Sequence, residues 1–176
     1  ALPIFEFIHH SQQSLIQQRE IGLHCPSFSL GIRAALREDP DVILLGELRD
    51  SDTIRQALTA AETGHLVLAT LHTRGAAQAV DRLVDVFPAE EKPLVRTQLA
   101  GSLKAVIAQR LVPAVAGSRI GLFEILVATP GITHLIREGK MHQIPALLQT
   151  GAQAGMQTFE QSRLAREAAG LIASGQ

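Results

Sequence analysis

The chain has 176 residues, 46% hydrophobic and 19% charged, which gives enough apolar material for a sizeable core and argues against wholesale disorder. A formal net charge of -1 and an aromatic content of 3%, with no Trp or Tyr, lack the basic excess and stacking platforms of a dedicated nucleic-acid binder. Cys25 is the lone cysteine, which excludes an internal disulfide scaffold and an all-cysteine zinc site, and no apolar run approaches the roughly 18 residues of a membrane span.

Residues 4–8 are apolar apart from Glu6 and read as a strand or strand end. The start has neither an initiator Met nor a basic n-region, so the sequence reads as part of a longer, cytoplasmic protein. Ser27 or Ser29 then caps a short helix whose apolar face is Phe28, Ile32, Ala35 and Leu36. Glu38-Asp39-Pro40 ends it, because proline disfavours the helical conformation in the residue before it.

Val42-Ile43-Leu44-Leu45 is a continuous β-branched and aliphatic run, suited to a strand buried on both faces of a parallel sheet. Ile54, Ala57, Leu58 and Ala61 recur at helical spacing, with Asp50 or Ser51 as N-cap and Gly64 at the C-terminal end. Leu66-Val67-Leu68-Ala69-Thr70-Leu71 is a second buried strand, followed by a helix carrying Val80, Leu83, Val84 and Phe87. Strand, helix, strand, helix with short connections predicts an α/β parallel sheet.

Ala89-Glu90-Glu91 opens a further helix with Val95, Leu99, Leu103 and Val106 on its apolar face. Residues 105–112 and 120–127 read as the arms of a β-hairpin around Gly117, although the first arm equally continues the helix. From Pro130 the pattern is helical, broken at Gly139, Gly151 and Gly155. The expected organisation is a core over residues 1–116 and a hairpin arm with a helical subdomain over 117–176.

Glu47 follows the first buried strand directly, and the C-terminal tips of parallel strands are where open α/β sheets bind ligands. In phosphate-cleaving enzymes an acid there holds Mg²⁺ or its water. The bland alternative is a polar residue starting a loop. Thr70, His72 and Thr73 cluster polar atoms at the end of the second strand, and His65 stands at its beginning. A histidine at the strand end can donate to a terminal phosphate, while an isolated one more often satisfies a local backbone group. Glu6 is a candidate general base on a water, or simply a surface acid. The His9-His10 adjacency and the His65/His72 separation match no standard zinc spacing. Arg33, Arg37, Arg49 and Arg55 are expected mostly in salt bridges with Glu38, Asp39, Asp50 and Asp52. No Gly-x-x-x-x-Gly-Lys-[Ser/Thr] occurs in these residues, so the backbone cradle and lysine that grip a nucleotide's phosphates are not among them.

Leu36-Arg37-Glu38-Asp39-Pro40-Asp41-Val42-Ile43-Leu44-Leu45-Gly46-Glu47-Leu48-Arg49-Asp50 is similar to the Walker B region of the type IV pilus retraction ATPases, the PilT-like branch of the secretion ATPases. Thr59-Ala60-Ala61-Glu62-Thr63-Gly64-His65-Leu66 through His72-Thr73 resembles their His box, and Val80-Asp81-Arg82-Leu83-Val84-Asp85-Val86-Phe87-Pro88 the segment after it. The resemblance implies a partial RecA-like P-loop NTPase core, mostly parallel sheet, followed by a β-hairpin and a C-terminal helical region. It makes Glu47 the Walker B glutamate acting on Mg²⁺ through a bound water, Glu6 the water-activating acid of the Asp box, and His72 the phosphate-facing histidine. Gly46, His65 and Thr70 are expected against ATP. The family's phosphate-binding loop lies upstream of the Asp box. Its members form homo-hexamers and act on pili from the cytoplasmic side through an inner-membrane platform protein; for this chain neither nucleic-acid binding nor direct membrane insertion is expected.

Two stretches depart from the family. Leu2-Pro3-Ile4-Phe5 stands where the family has Glu-Asp-Pro-Ile, and Gly131-Ile132-Thr133-His134 replaces the first half of its Ala-Ile-Arg-Asn-Leu-Ile-Arg-Glu motif. These departures motivate an alternative, a degenerate, non-enzymatic subunit or assembly partner of a related motor. The lone Cys25 argues against the branch with a four-cysteine zinc insertion.

Overall fold

A computed structural model describes residues 7–173. The chain packs as two compact units that meet in sequence at Thr70 and Leu71. The first contains α1 (Phe28–Ala35), β1 (Val42–Leu45), α2 (Ser51–Glu62) and β2 (Leu66–Ala69). Ser27 caps α1 by accepting from the Leu30 amide at 3.3 Å. Asp50 caps α2, accepting from the Thr53 amide at 2.8 Å, and Gly64 beyond its end takes the left-handed φ of +104° that a side chain would resist.

The two strands pair in parallel, Val42 opposite Leu66 and Leu45 opposite Ala69. Ile43 and Leu45 bury themselves among Ile32 of α1 and Ala57 and Ala60 of α2, with Val67 packed beside them. The other face is open: Val42, Leu44, Leu66 and Leu68 are 51, 63, 48 and 47% exposed. The expectation of strands buried on both faces therefore fails for these residues. In a strand successive side chains alternate between faces, and α1 and α2 supply a layer to one face only. Of the expected first strand, residues 4–6 lie outside the described residues; Phe7 and Ile8 form no strand and are exposed.

The second unit opens with α3 (Ala76–Asp85) and α4 (Lys92–Ser102). The helix expected from Ala89 to Val106 is shorter at both ends. Residues 88–91 form a turn, and Val106 belongs to β3 (Ala105–Pro113), which pairs antiparallel with β4 (Arg119–Val127) from Ala105↔Val127 to Pro113↔Arg119. Nine cross-strand partners outweigh one more helical turn, which settles the open choice in favour of the hairpin. Helices α5 (Pro130–Arg137), α6 (Ile144–Thr150) and α7 (Phe159–Ala168) follow, with short 3-10 turns at 141–143 and 152–154. The region after Pro130 is not purely helical, because Gln157 forms an isolated antiparallel bridge to Ile125 of β4. Val80, Val84, Val95, Leu126, Ile132, Ile136 and Ile144 are almost fully buried and make the core of this unit. Among the described residues, no helix is long and apolar enough to cross a membrane.

Candidate functional site

The parallel register brings the ends of β1 and β2 side by side, and two hydrogen bonds bind the loops leaving them. The Thr70 hydroxyl donates to the Gly46 carbonyl, and the Leu48 amide donates to the Thr70 carbonyl at 3.1 Å. Gly46, Glu47 and Thr70 thus share one end of the first unit's sheet. Glu47 emerges there half-buried, its side chain 19% exposed, and its carboxylate accepts from Nε of Arg49 at 2.5 Å. Arg49 itself is 74% exposed. Its partner is the candidate acid, not Asp50 or Asp52 as expected, because Asp50 is occupied with capping α2 through Thr53. A carboxylate oriented by a guanidinium at a strand end is a ligand type that suits a hydrated Mg²⁺.

His65 sits at the other end of β2. Its Nδ1 lies 3.0 Å from the Ala60 carbonyl and 3.2 Å from the Thr63 hydroxyl, so that edge of the ring closes the last turn of α2. With four residues of strand between them, at about 3.3 Å each, His65 and Thr70 stand well over 10 Å apart along the strand. The structure does not gather His65 with Gly46, Glu47 and Thr70. Glu6 lies outside the described residues.

His72 belongs to the second unit, on the exposed loop before α3. It borders a shallow cleft of about 340 Å³ between this loop and the α3 side chains Asp81, Arg82 and Asp85. Burial raises the Asp81 carboxyl above its ordinary value and the nearby Asp85 adds to the rise, while Arg96 and His142 pull it down. Lys92 neutralises Asp85 at 2.8 Å.

Sequence reasoning passed over two residues that touch this loop. Glu124 of β4 accepts from the Ala76 amide at 2.8 Å, and Arg110 of β3 donates to the Arg74 carbonyl at 3.1 Å. A signal for Glu124 was present: it is the one acid in the otherwise apolar run Ile120-Gly121-Leu122-Phe123-Glu124-Ile125-Leu126-Val127.

Residues 8–118 match the family described as type II/IV secretion system protein. The chain is 69% identical over 157 residues to the uncharacterized protein YggR of Escherichia coli (strain K12), covering 89% of this chain and 48% of that protein. It is 53% identical over 167 residues to the type IV pilus retractation ATPase PilT of Pseudomonas aeruginosa, covering 95% of this chain and 48% of that one. Its fold is similar to a crystal structure of the pilus retraction motor PilT with bound ADP, with a TM-score of 0.86 and 42% identity over 97% of this chain and 48% of the other. The chain spans about half the length of the curated relatives it matches.

Proposed function

The chain belongs to the type II/IV secretion system protein family, the pilus and secretion ATPases, and from that membership we propose that it forms part of a homo-hexameric cytoplasmic motor that hydrolyses ATP to drive pilus retraction or a related secretion process. In this reading residues 1–116 belong to the nucleotide-hydrolysing core, and 117–176 form a hairpin arm with a helical subdomain. The motor works at the inner membrane through a platform protein, without inserting itself. The 176 residues contain no phosphate-binding loop and are proposed to be inactive by themselves.

The observation that carries the reading is the tie between the ends of β1 and β2, which brings residues 46–48, Glu47 among them, alongside Thr70. Bound MgATP supplies the phosphoanhydride and a cation that neutralises charge developing on the transferred group. Glu47 would hold a hydrated Mg²⁺ through its carboxylate, which its bond to Arg49 orients. The Thr70 hydroxyl and Gly46 backbone border the phosphates. His72 donates to the outermost phosphate, and Glu6 takes the proton from the attacking water. His65, at the opposite end of β2 with its Nδ1 against the Ala60 carbonyl, stands apart from this phosphate site.

The test is Glu47→Gln in the full-length protein. Turnover of MgATP should fall by about 100-fold or more, the usual range for removing a positioned proton-transfer or metal-orienting acid. Turnover equal to wild type would end the reading. The changed stretch Gly131-Ile132-Thr133-His134 favours a second reading, a non-enzymatic subunit that docks on a related motor. In that case the full-length protein would bind such a motor while showing no turnover that depends on Glu47.

A further inference from the structure

The loop that carries His72 is fastened to the hairpin of its own unit at two backbone atoms. Ala108 and Arg110 on β3 stand on the same face of the hairpin as Leu122 and Glu124 on β4, because side chains two apart share a face and these residues pair across the strands. That face also carries the buried Ala108, Leu122 and Leu126, and both strands contact α3. From it Glu124 accepts from the Ala76 amide, and Arg110 donates to the Arg74 carbonyl. Each charged group meets the backbone atom of complementary polarity.

Two further details show that the arrangement is built rather than incidental. The Gly75 N-cap of α3 makes no side-chain cap, so the first amides of the helix need an acceptor from elsewhere. Glu124 supplies a carboxylate at the positive end of the helix dipole. The φ of Gly75 is -166°, extended backbone that any residue adopts, so conformation does not require glycine there. A Cβ on residue 75 would lie 3.0 Å from the Glu124 carboxylate, so a side chain there would push against the group that accepts from the Ala76 amide. Arg110 is steadied in turn by the ring of Phe159 on α7, 4.0 Å below its guanidinium. Within the loop, the Thr73 hydroxyl donates to the Gly75 carbonyl at 3.3 Å.

We infer that Glu124 and Arg110 are positioning residues that hold the backbone of residues 72–75, and with it the His72 ring, in the conformation used for phosphate contact. The inference rests on the reading of His72 given above. Neither residue touches the nucleotide; each acts through the loop. Loss of either tie leaves nucleotide affinity in place and slows the step that needs the imidazole in register, a signature that appears in kcat and not in KM.

The experiment compares His72→Ala, Glu124→Ala, Glu124→Gln and Arg110→Ala in the full-length protein, by steady-state MgATP turnover and by amide hydrogen exchange across the first turn of α3. Glu124→Ala and Arg110→Ala should each lower kcat by about 100-fold, the scale set by misplacing a reacting group by about 1 Å, with KM within about two-fold. Glu124→Gln keeps an acceptor oxygen and should recover most of the rate and the slow exchange at Ala76. Faster exchange at Ala76 in Glu124→Ala with kcat intact would overturn the positioning role while leaving the motor reading standing. Intact kcat in His72→Ala would overturn the reading beneath it. Should Glu124→Ala fail to fold by circular dichroism, Arg110→Ala decides, and a wild-type kcat there overturns the proposal.

Discussion

Glu47 and Arg49 are two residues apart on a loop, and their pair is uneven: the guanidinium is mostly in solvent and the carboxylate mostly out of it. Solvent screens such a pair and its side-chain entropy opposes it, so it contributes at most about 1 kcal/mol to folding. Arg49→Ala should accordingly shift the urea midpoint by less than that equivalent; a larger loss would make the pair a structural element instead of a device for orienting the acid. Asp81 behaves differently, because burial outweighs the attraction of Arg96 and His142 and its carboxyl is raised. A raised folded value means that the folded state holds the proton more tightly than the unfolded chain. Ionising Asp81 therefore costs stability as pH rises above its unfolded value of 3.8 and through the folded one, and the cost persists at neutral pH. Asp81→Asn should melt at or above wild type at pH 7, and the difference should shrink as pH falls toward 4. A variant that melts lower at pH 7 would show that Arg96 and His142 need the charge more than burial opposes it.

At the scale of elements, α2 depends on Asp50, which takes both the amide and the hydroxyl of Thr53. Asp50→Ala should cost about 1 kcal/mol, read from chemical denaturation, with no change in the strand pairing beside it. The tie between α7 and the hairpin runs through Ser162, a buried hydroxyl accepting from the Phe123 amide at 3.1 Å. Ser162→Ala strands that amide away from water and should cost about 1–3 kcal/mol. The contrast between these two elements shows what the sequence makes legible. The cap of α2 is local chemistry: an Asp three residues before the amide it serves, a helical apolar period and a terminal glycine. The strands β1 and β2 were equally plain as apolar runs, and Glu47 was legible because an acid breaks such a run at its end. The bridge from Gln157 to Ile125, the end of α4 at Ser102 and the Glu124–Ala76 bond were not. Each depends on partners far along the chain, 48 residues in the last case, and periodicity carries no record of such pairings. The one-sided burial of β1 and β2 escaped for a related reason, since an apolar run specifies what a strand would bury and not which faces are covered.

For the molecule as a whole, that uncovered face is the largest consequence of the sequence's composition. Val42, Leu44, Leu66 and Leu68 stand together on one side of a sheet with only two four-residue strands among the described residues. A contiguous aliphatic face of this kind costs solvation free energy in proportion to its apolar area, and a short two-stranded sheet has little pairing energy to set against it. A solution of the 176-residue chain should therefore lower that cost by self-association, and it should bind a hydrophobic dye such as ANS. Leu44→Glu with Leu68→Glu places two like charges on the face and should leave the chain monomeric by analytical sedimentation, with dye fluorescence reduced. Neither substitution disturbs Ile43 and Leu45, which carry the packing against α1 and α2. The proposal that these strands are part of a larger RecA-like core gives the opposite sign in the full-length protein. There the same two charges would enter a buried layer without partners and should destabilise folding by several kcal/mol. Solubility gained in the short chain and stability lost in the long one, from the same pair of substitutions, is a result that a merely wet surface patch could not produce. Equal tolerance in both would mean that the sheet stays as open in the complete protein as it is over these residues, and the partial-core reading would have to be given up.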